Sequence, residues 1–130
     1  MSDENHETAH QAALRYRAQL KPGEPEIRAA KPLANQLDLA RTHSPGVAEA
    51  CMEIRDDPAN AVLYTARANL VAVVTNGSAA LGLGNIGALA SKPIMEGKTV
   101  QLKNFASIDC FDLELNETDP ERIADIVTAL

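Results

Sequence analysis

Residues Gly82 to Gly87 of this chain read G-L-G-N-I-G. A G-x-G-x-x-G string lets a backbone turn tightly and approach a dinucleotide pyrophosphate, provided that a strand precedes it and a helix follows. The apolar run Leu70–Thr75 and the turn pair Asn76-Gly77 stand just before it, close to that context. Asp109 lies about twenty residues beyond Gly87, the separation expected of an acid that binds a ribose hydroxyl. A small nucleotide-binding domain is therefore one reading of the loop. The other is close backbone packing at a strand–helix turn, which needs glycine for steric reasons alone.

Other reactive side chains are sparse. Asp109, Asp112 and Glu114 form a local acidic cluster, but they share a strand-like segment with apolar residues and read as a solvated strand edge. His6 and His10 have the i, i+4 spacing that can grip a metal, yet they belong to a terminal segment of the kind that frays, and no site is assigned to them. Cys51 and Cys110 sit in apolar periodic segments without C-x-x-C spacing and read as two buried, reduced thiols. No metal-ligating and no cofactor-binding residue is assigned on this chain.

These residues need elements to hold them. Thr8–Leu20 favours helix, and Lys21–Pro32, with three prolines and one glycine, reads as an extended arm that packs on another part of the fold or on a second subunit. Ser44-Pro45 looks like an N-cap followed by proline at the first helical position, opening a helix over Val47–Asp56 that buries Val47, Ala50, Cys51 and Ile54. A second short helix is expected over about Ala59–Ala68. Leu70–Thr75 lacks alternation and reads as a strand covered on both faces, as in a parallel sheet. Ala79–Leu83 is a short strand or turn leading to the glycine loop and a small helix near Ile86–Ala90. Lys92-Pro93 starts a further helix weakened at Gly97. Ser107–Leu115 alternates as a strand, and Asp119-Pro120 caps a final amphipathic helix with Ile123, Ile126, Val127 and Leu130 on one face. Alternating helices and strands give an α/β fold, a three-layer arrangement of a parallel or mixed sheet with flanking helices. The expected division is residues 1–30 as N-terminal helix and arm, and residues 31–130 as the domain.

A length of 130 residues gives one domain, too small for a complete two-lobed dehydrogenase. A net charge of −6 argues against nucleic acid and anionic membrane as partners. The polar, acidic first ten residues are unlike a secretory signal, and no apolar run approaches a membrane span, so a soluble cytoplasmic protein is expected.

Several longer stretches narrow the field. They are Lys31-Pro32-Leu33-Ala34, Asp38-Leu39-Ala40, Ser44-Pro45-Gly46-Val47-Ala48, Tyr64-Thr65-Ala66 and Asn69 through Val74. They continue with Asn76-Gly77, Leu81 through Gly87, Lys92-Pro93, Met95-Glu96-Gly97-Lys98 and Phe111-Asp112. Together, over about residues 30–130, they resemble the N-terminal, malate-binding domain of the malic enzymes in their short bacterial form. The resemblance implies oxidative decarboxylation of malate to pyruvate and carbon dioxide, with NAD or NADP accepting hydride and Mg²⁺ or Mn²⁺ holding the substrate in the complete enzyme. It also implies that the glycine loop belongs to the substrate domain. The cofactor's own loop and the acidic metal ligands would then lie elsewhere, so neither nucleotide nor metal is expected on this chain alone.

By the same resemblance, the family's catalytic lysine falls on Lys98, the general base toward the malate hydroxyl. A lysine among apolar groups or near other cations can act in that way. The family's second proton-handling group is a tyrosine just before Ser44-Pro45-Gly46-Val47-Ala48, which protonates the enol of pyruvate; His43 stands there instead. An imidazole is shorter than a phenol and titrates ordinarily near pH 6.5 rather than about 10, but it remains a competent general acid. Two readings of the whole follow. In the first, the chain is the substrate-binding part of a malic enzyme, inactive without the cofactor domain. In the second, it is a free-standing, non-catalytic domain that dimerises with and modulates a full-length malic enzyme. The implied partners are malate or pyruvate and either a second copy or a full-length relative.

Overall fold

The computed structural model describes residues 7–130. Helix α1 (Ala9–Ala18) starts with a capping box: the Thr8 hydroxyl accepts from the Gln11 N–H, and the Gln11 side chain accepts from the Thr8 N–H. These bonds satisfy donors that a helix start otherwise leaves free. The segment after α1 is an arm without regular structure, as its prolines suggest. It is fastened back at one place, where the Arg17 guanidinium lies 2.7 Å from the Glu24 carboxylate and the Glu24 N–H donates to Glu96 at 3.3 Å.

Three α-helices and two 3₁₀ turns follow. Helix α2 (Gln36–Thr42), not anticipated from the sequence, is capped by the Asn35 side chain, which accepts from the Asp38 N–H at 2.9 Å. Helix α3 (Gly46–Asp56) packs on α2 at Gly46, where a Cβ would come within 2.6 Å of the Ala40 carbonyl oxygen. Asp57 then caps a 3₁₀ turn (Pro58–Asn60), followed by α4 (Ala61–Tyr64) and a second 3₁₀ turn (Ala66–Ala68).

Strands β1 (Leu70–Thr75) and β2 (Asp109–Glu114) pair in parallel, in register from Leu70↔Asp109 to Thr75↔Glu114. A parallel pair requires a crossover, supplied here by α5 (Ala88–Ala106), which packs across both strands. Two asparagines bracket the pair. The Asn69 amide donates to the Ser107 carbonyl and the Asp109 carboxylate, and the Asn76 amide donates to the Glu117 carbonyl. Helix α6 (Pro120–Ala129) closes the described chain, capped by Asp119 as expected.

The α/β class with parallel strands is borne out, and several local expectations need correction. The Ser44 side chain does not cap α3; Pro45 occupies the cap position and no side chain bonds there. The helix expected over about Ala59–Ala68 is broken at Thr65, whose backbone is extended and whose hydroxyl instead caps the following turn. The helices expected at Ile86–Ala90 and from Lys92-Pro93 are one helix with Pro93 inside it. The missing proline N–H costs a single bond, to the Leu89 carbonyl, near the helix start. Strand β1 is not covered on both faces: Leu70 and Val71 are exposed and Val73 to Thr75 half-buried. The apolar faces of α3 and α6 are likewise open, since Val47, Cys51, Ile126, Val127 and Leu130 are exposed and Ala50, Ile54 and Ile123 half-buried. Cys51 is thus not the buried thiol its periodicity implied, and Cys110 is only half-buried; both are free. Of the His6–His10 pair, His6 lies outside the described residues.

The loop joining β1 to α5 is pinched shut at its base. The Ile86 N–H donates to the Gly77 carbonyl at 3.1 Å, and a Cβ on Gly77 would overlap the Gly87 carbonyl. Gly77 also has φ +69°, whereas a Cβ on Gly82 (φ +76°) would meet nothing. Gly77→Ala should therefore cost roughly 2–5 kcal/mol, combining about 1–2 for left-handed backbone with about 1–3 for overpacking. Gly82→Ala should cost only the backbone part. Comparative denaturant unfolding checks this, and equal losses at the two positions would refute it.

Candidate functional site

The two residues assigned proton-handling roles come from separate parts of the packing. His43 terminates α2: its N–H donates to the Leu39 carbonyl and its own carbonyl accepts from the Val47 N–H, both at 2.9 Å. These bonds hold the α2–α3 corner and leave the imidazole exposed. Lys98 lies in the third turn of α5, between Gly97 and the buried Thr99, and its side chain is exposed. Helix α2 packs on α3 and α5 packs on the sheet, and α2 and α5 do not touch. Ion pairs of described lysines involve Lys21, Lys92 and Lys103. Lys98 joins none among the described residues.

The most concentrated electrostatics belong to residues that the sequence reading placed on a solvated edge. The acids are not equivalent. Asp109, at the start of β2, is exposed and pairs with Lys103 at 2.7 Å. The Lys103 hydrogen bond, followed by that from Asn69, holds its carboxyl below the usual carboxylate range. Asp112 and Glu114, two residues apart and hence on one face of β2, turn inward toward α5, where their side chains are only 7% and 14% exposed. Lys92 reaches them from α5. Its ammonium contacts the Asp112 carboxylate directly and lies 3.3 Å from Glu114 Oε2. The expectation of a solvated strand edge is therefore overturned for these two acids. A pair of acids at i, i+2, alternating with Phe111 and Leu113, was the signal available in the sequence.

One ammonium between two carboxylates divides them. Burial raises the Glu114 carboxyl above its ordinary range, and the neighbouring Asp112 adds to this; Glu114 Oε1 is buried with no hydrogen-bond partner. Burial also pushes Asp112 up, but hydrogen bonds with Glu114 and Lys92 and the attraction of Lys92 outweigh it, so its carboxyl titrates below normal. The Lys92 ammonium is raised, mainly by its hydrogen bond to Asp112. With Lys92 occupying the space between the acids, this cluster does not fit a divalent cation. Among the described residues no group of three or more His, Cys, Asp or Glu side chains is arranged to hold one.

The glycine loop carries no charged side chain. A Cβ at Gly82, Gly84 or Gly87 would meet nothing, so positive φ, and not close packing, accounts for glycine at these three positions. Close packing holds at Gly77 alone among the loop glycines. A separate cleft of about 710 Å³ opens between the arm and the sheet, lined in part by Pro25, Ile27, Leu70, Val100 and Phe111. Neither Lys98 nor His43 lines it.

Opposite shifts in neighbouring acids predict opposite pH responses. A lowered Asp112 contributes stability that is present above its unfolded value of 3.8 and is lost as pH falls through the folded value. A raised Glu114 contributes stability that is present below its unfolded value of 4.5 and is lost as pH rises through the folded value. The melting temperature of Asp112→Asn relative to the native chain should fall as pH rises from about 3 to about 7, whereas that of Glu114→Gln should rise. Thermal melts across this range decide, and responses of the same sign would contradict the assignment.

Comparison with known proteins agrees with this architecture. Residues 23–126 match the family model described as malic enzyme, N-terminal domain. The chain is 56% identical over 124 residues to an NADP-dependent malic enzyme of Haemophilus influenzae, covering 95% of this chain and 16% of the relative. It is 56% identical over 120 residues to an NAD-dependent malic enzyme of Rhizobium meliloti, covering 92% of this chain and 16% of the relative. Among solved structures, the malic enzyme of Pyrococcus horikoshii superposes with a TM-score of 0.90 at 40% identity, over 95% of this chain and 29% of that one. The chain thus spans about one-sixth of the length of those two curated relatives. On the family match, the relatives and the superposition together, this chain belongs to the malic enzyme N-terminal domain family.

Proposed function

We propose that the chain serves as the substrate-binding part of a malic enzyme, contributing to oxidative decarboxylation of malate to pyruvate and carbon dioxide. The observation that carries this reading is the match over residues 23–126, supported by a superposition that extends over nearly the whole chain. NAD or NADP accepts the hydride, and Mg²⁺ or Mn²⁺ assists. Relatives of both nicotinamide types are equally similar to this chain, so its residues do not discriminate between the two. The nicotinamide and the metal are held outside this chain's residues. The division into an N-terminal helix and arm, residues 1–30, and a substrate domain, residues 31–130, is part of the same reading, as is a cytoplasmic location. No helix among the described residues is long and apolar enough to cross a membrane.

Within this reading Lys98 is the general base that takes the proton of the malate hydroxyl as hydride leaves the same carbon. His43, at the family's tyrosine position, returns a proton to the enol of pyruvate after carbon dioxide has departed. Both side chains are exposed and free of structural ion pairs among the described residues, which leaves them available to a substrate. This reading requires both side chains to reach a common organic-acid pocket in the assembled enzyme. The substitution at 43 also favours a second reading, in which the domain pairs with a full-length malic enzyme and modulates it without turnover. Co-purification with a full-length relative, followed by size-exclusion chromatography, tests that alternative; strictly monomeric elution removes it.

The direct experiment is malate-dependent reduction of NAD or NADP with Mn²⁺, first with this chain alone and then with the chain joined or mixed with a cofactor domain. No turnover is expected alone, and turnover is expected in the combined form. Lys98→Ala should then lower kcat by about 10²–10⁴-fold, the usual contribution of a positioned base. Failure of every combination, including one carrying His43→Tyr, would sink the proposal.

A further inference from the structure

Helix α5 has an unusual way of being held. The residues it buries among those described are Ser91, Met95 and Thr99, at 1%, 6% and 2% exposure, and Met95 is the one large apolar side chain among them. Small side chains interlock less deeply than large ones, so few apolar ridges fix the height of the helix on the strands. The helix also has two weak points. Pro93 donates no hydrogen bond to the Leu89 carbonyl, and Gly97 is the least helix-favouring residue short of proline. Lys98 follows directly after this second weak point.

Lys92 stands immediately before Pro93 and binds to the C-terminal half of β2. Its partners are on the face of the strand that turns to α5, and β1 places only the uncharged Val73 and Thr75 beside them. Among the described residues the Lys92 ammonium is the only cation that touches Asp112 and Glu114. Loss of one member of such a group leaves uncompensated buried charge, which costs far more than loss of an exposed pair. At the far end of α5 the Lys103–Asp109 pair is exposed on both sides and screened by solvent. Register is therefore set at the Lys92 end.

We infer that Lys92 is a positioning residue: by clamping the first turns of α5 to Asp112 and Glu114 it sets the height and rotation at which the helix presents Lys98. The inference rests on the reading of Lys98 as the base and adds to it a residue that touches no substrate. Helical spacing puts Lys98 about 9 Å along the axis from Lys92, at 1.5 Å per residue, and on a different flank. Its influence is consequently one of geometry, since an ammonium on another flank does not share a hydrogen bond with it. A misplacement on the order of 1 Å at a reacting group can cost about a hundredfold in rate, so a clamp of this kind matters to turnover as well as to stability.

The test compares Lys92→Met, Lys92→Arg, Lys98→Ala and the Lys92→Met/Lys98→Ala double variant in this chain joined or mixed with a cofactor domain. Two readouts are taken besides thermal stability: kcat for malate oxidation, and trace acetylation of Lys98 relative to Lys31, read by mass spectrometry. Lys92→Met is expected to lower kcat about tenfold or more. It should also change the relative acetylation rate by about threefold or more, since an amine's reactivity follows its local solvation and charge. Lys92→Arg should recover both, because a guanidinium can still span two carboxylates. In the Lys98→Ala background Lys92→Met should cause no further loss of kcat. If Lys92→Met does not fold, Asp112→Asn/Glu114→Gln removes the clamp and leaves unpaired only the part-exposed Lys92 ammonium, which water can solvate, and the same changes are expected. Unaltered acetylation of Lys98 in a variant whose clamp is gone would overturn the inference, even if the protein melts earlier. Undiminished kcat in Lys98→Ala would refute the base assignment instead, while the acetylation measurement continues to decide the role of Lys92.

Discussion

Parallel pairing of β1 with β2 is the constraint on which the rest of the structure depends. A parallel pair cannot be joined by a tight turn, so the chain must leave one end of the sheet and return to the other. Residues 76–108 make that return, first as a glycine loop and then as α5. The loop must let the backbone reverse within a few residues, which accounts for the close approach of Gly77 to Gly87. The helix must then lie antiparallel to both strands and meet them through side chains small enough for close contact. Ser91, Met95 and Thr99 satisfy this requirement. Asn69 and Asn76 secure the two ends of β1 to the chain around β2, so the crossover is tied at both its origin and its destination.

The same constraint explains why charge takes on a structural role. A helix seated on small side chains has close contact but few knobs to resist sliding. Its orientation relative to the strands is set by polar contacts, from Lys92 at one end to the weaker Lys103 pair at the other. Opposite displacement of the two acid titrations follows from having one cation for two carboxylates in a poorly solvated space. Glu96, midway along α5, serves the arm in the same fashion. It accepts from the Glu24 N–H and faces Arg17, so the otherwise exposed N-terminal segment is joined to the helix close to Lys98.

Apolar surface is the other main feature. Met95 is the one buried large apolar side chain among the described residues, whereas Leu20, Ile27, Leu81, Leu89 and Phe105 are almost fully exposed. Periodicity set the apolar side chains of α3 and α6 on one face of each element, but nothing in the described fold fully covers them, and the start of β1 is open in the same way. Two of the relatives, with about six times the length, have ample further chain to provide such cover.

Local chemistry was plain in the residues themselves. The apolar run Leu70–Thr75 had to be a strand, Asp119-Pro120 had to open a helix, and the prolines after Leu20 ruled out regular structure, because each depends on backbone sterics and neighbours a few positions away. The family was legible for a similar reason, since its motifs are contiguous strings. What the residues alone determined was therefore the α/β class and most elements, while Lys98 and His43 became candidates only through the resemblance to the family. Burial was decided only by tertiary structure. Periodicity indicates which face of an element is apolar but not whether anything covers it, so Cys51, Val47 and the face of α6 were misplaced. The inward turn of Asp112 and Glu114 depends on Lys92, twenty residues away in sequence, and no local pattern encodes a partner that only the crossover brings within reach.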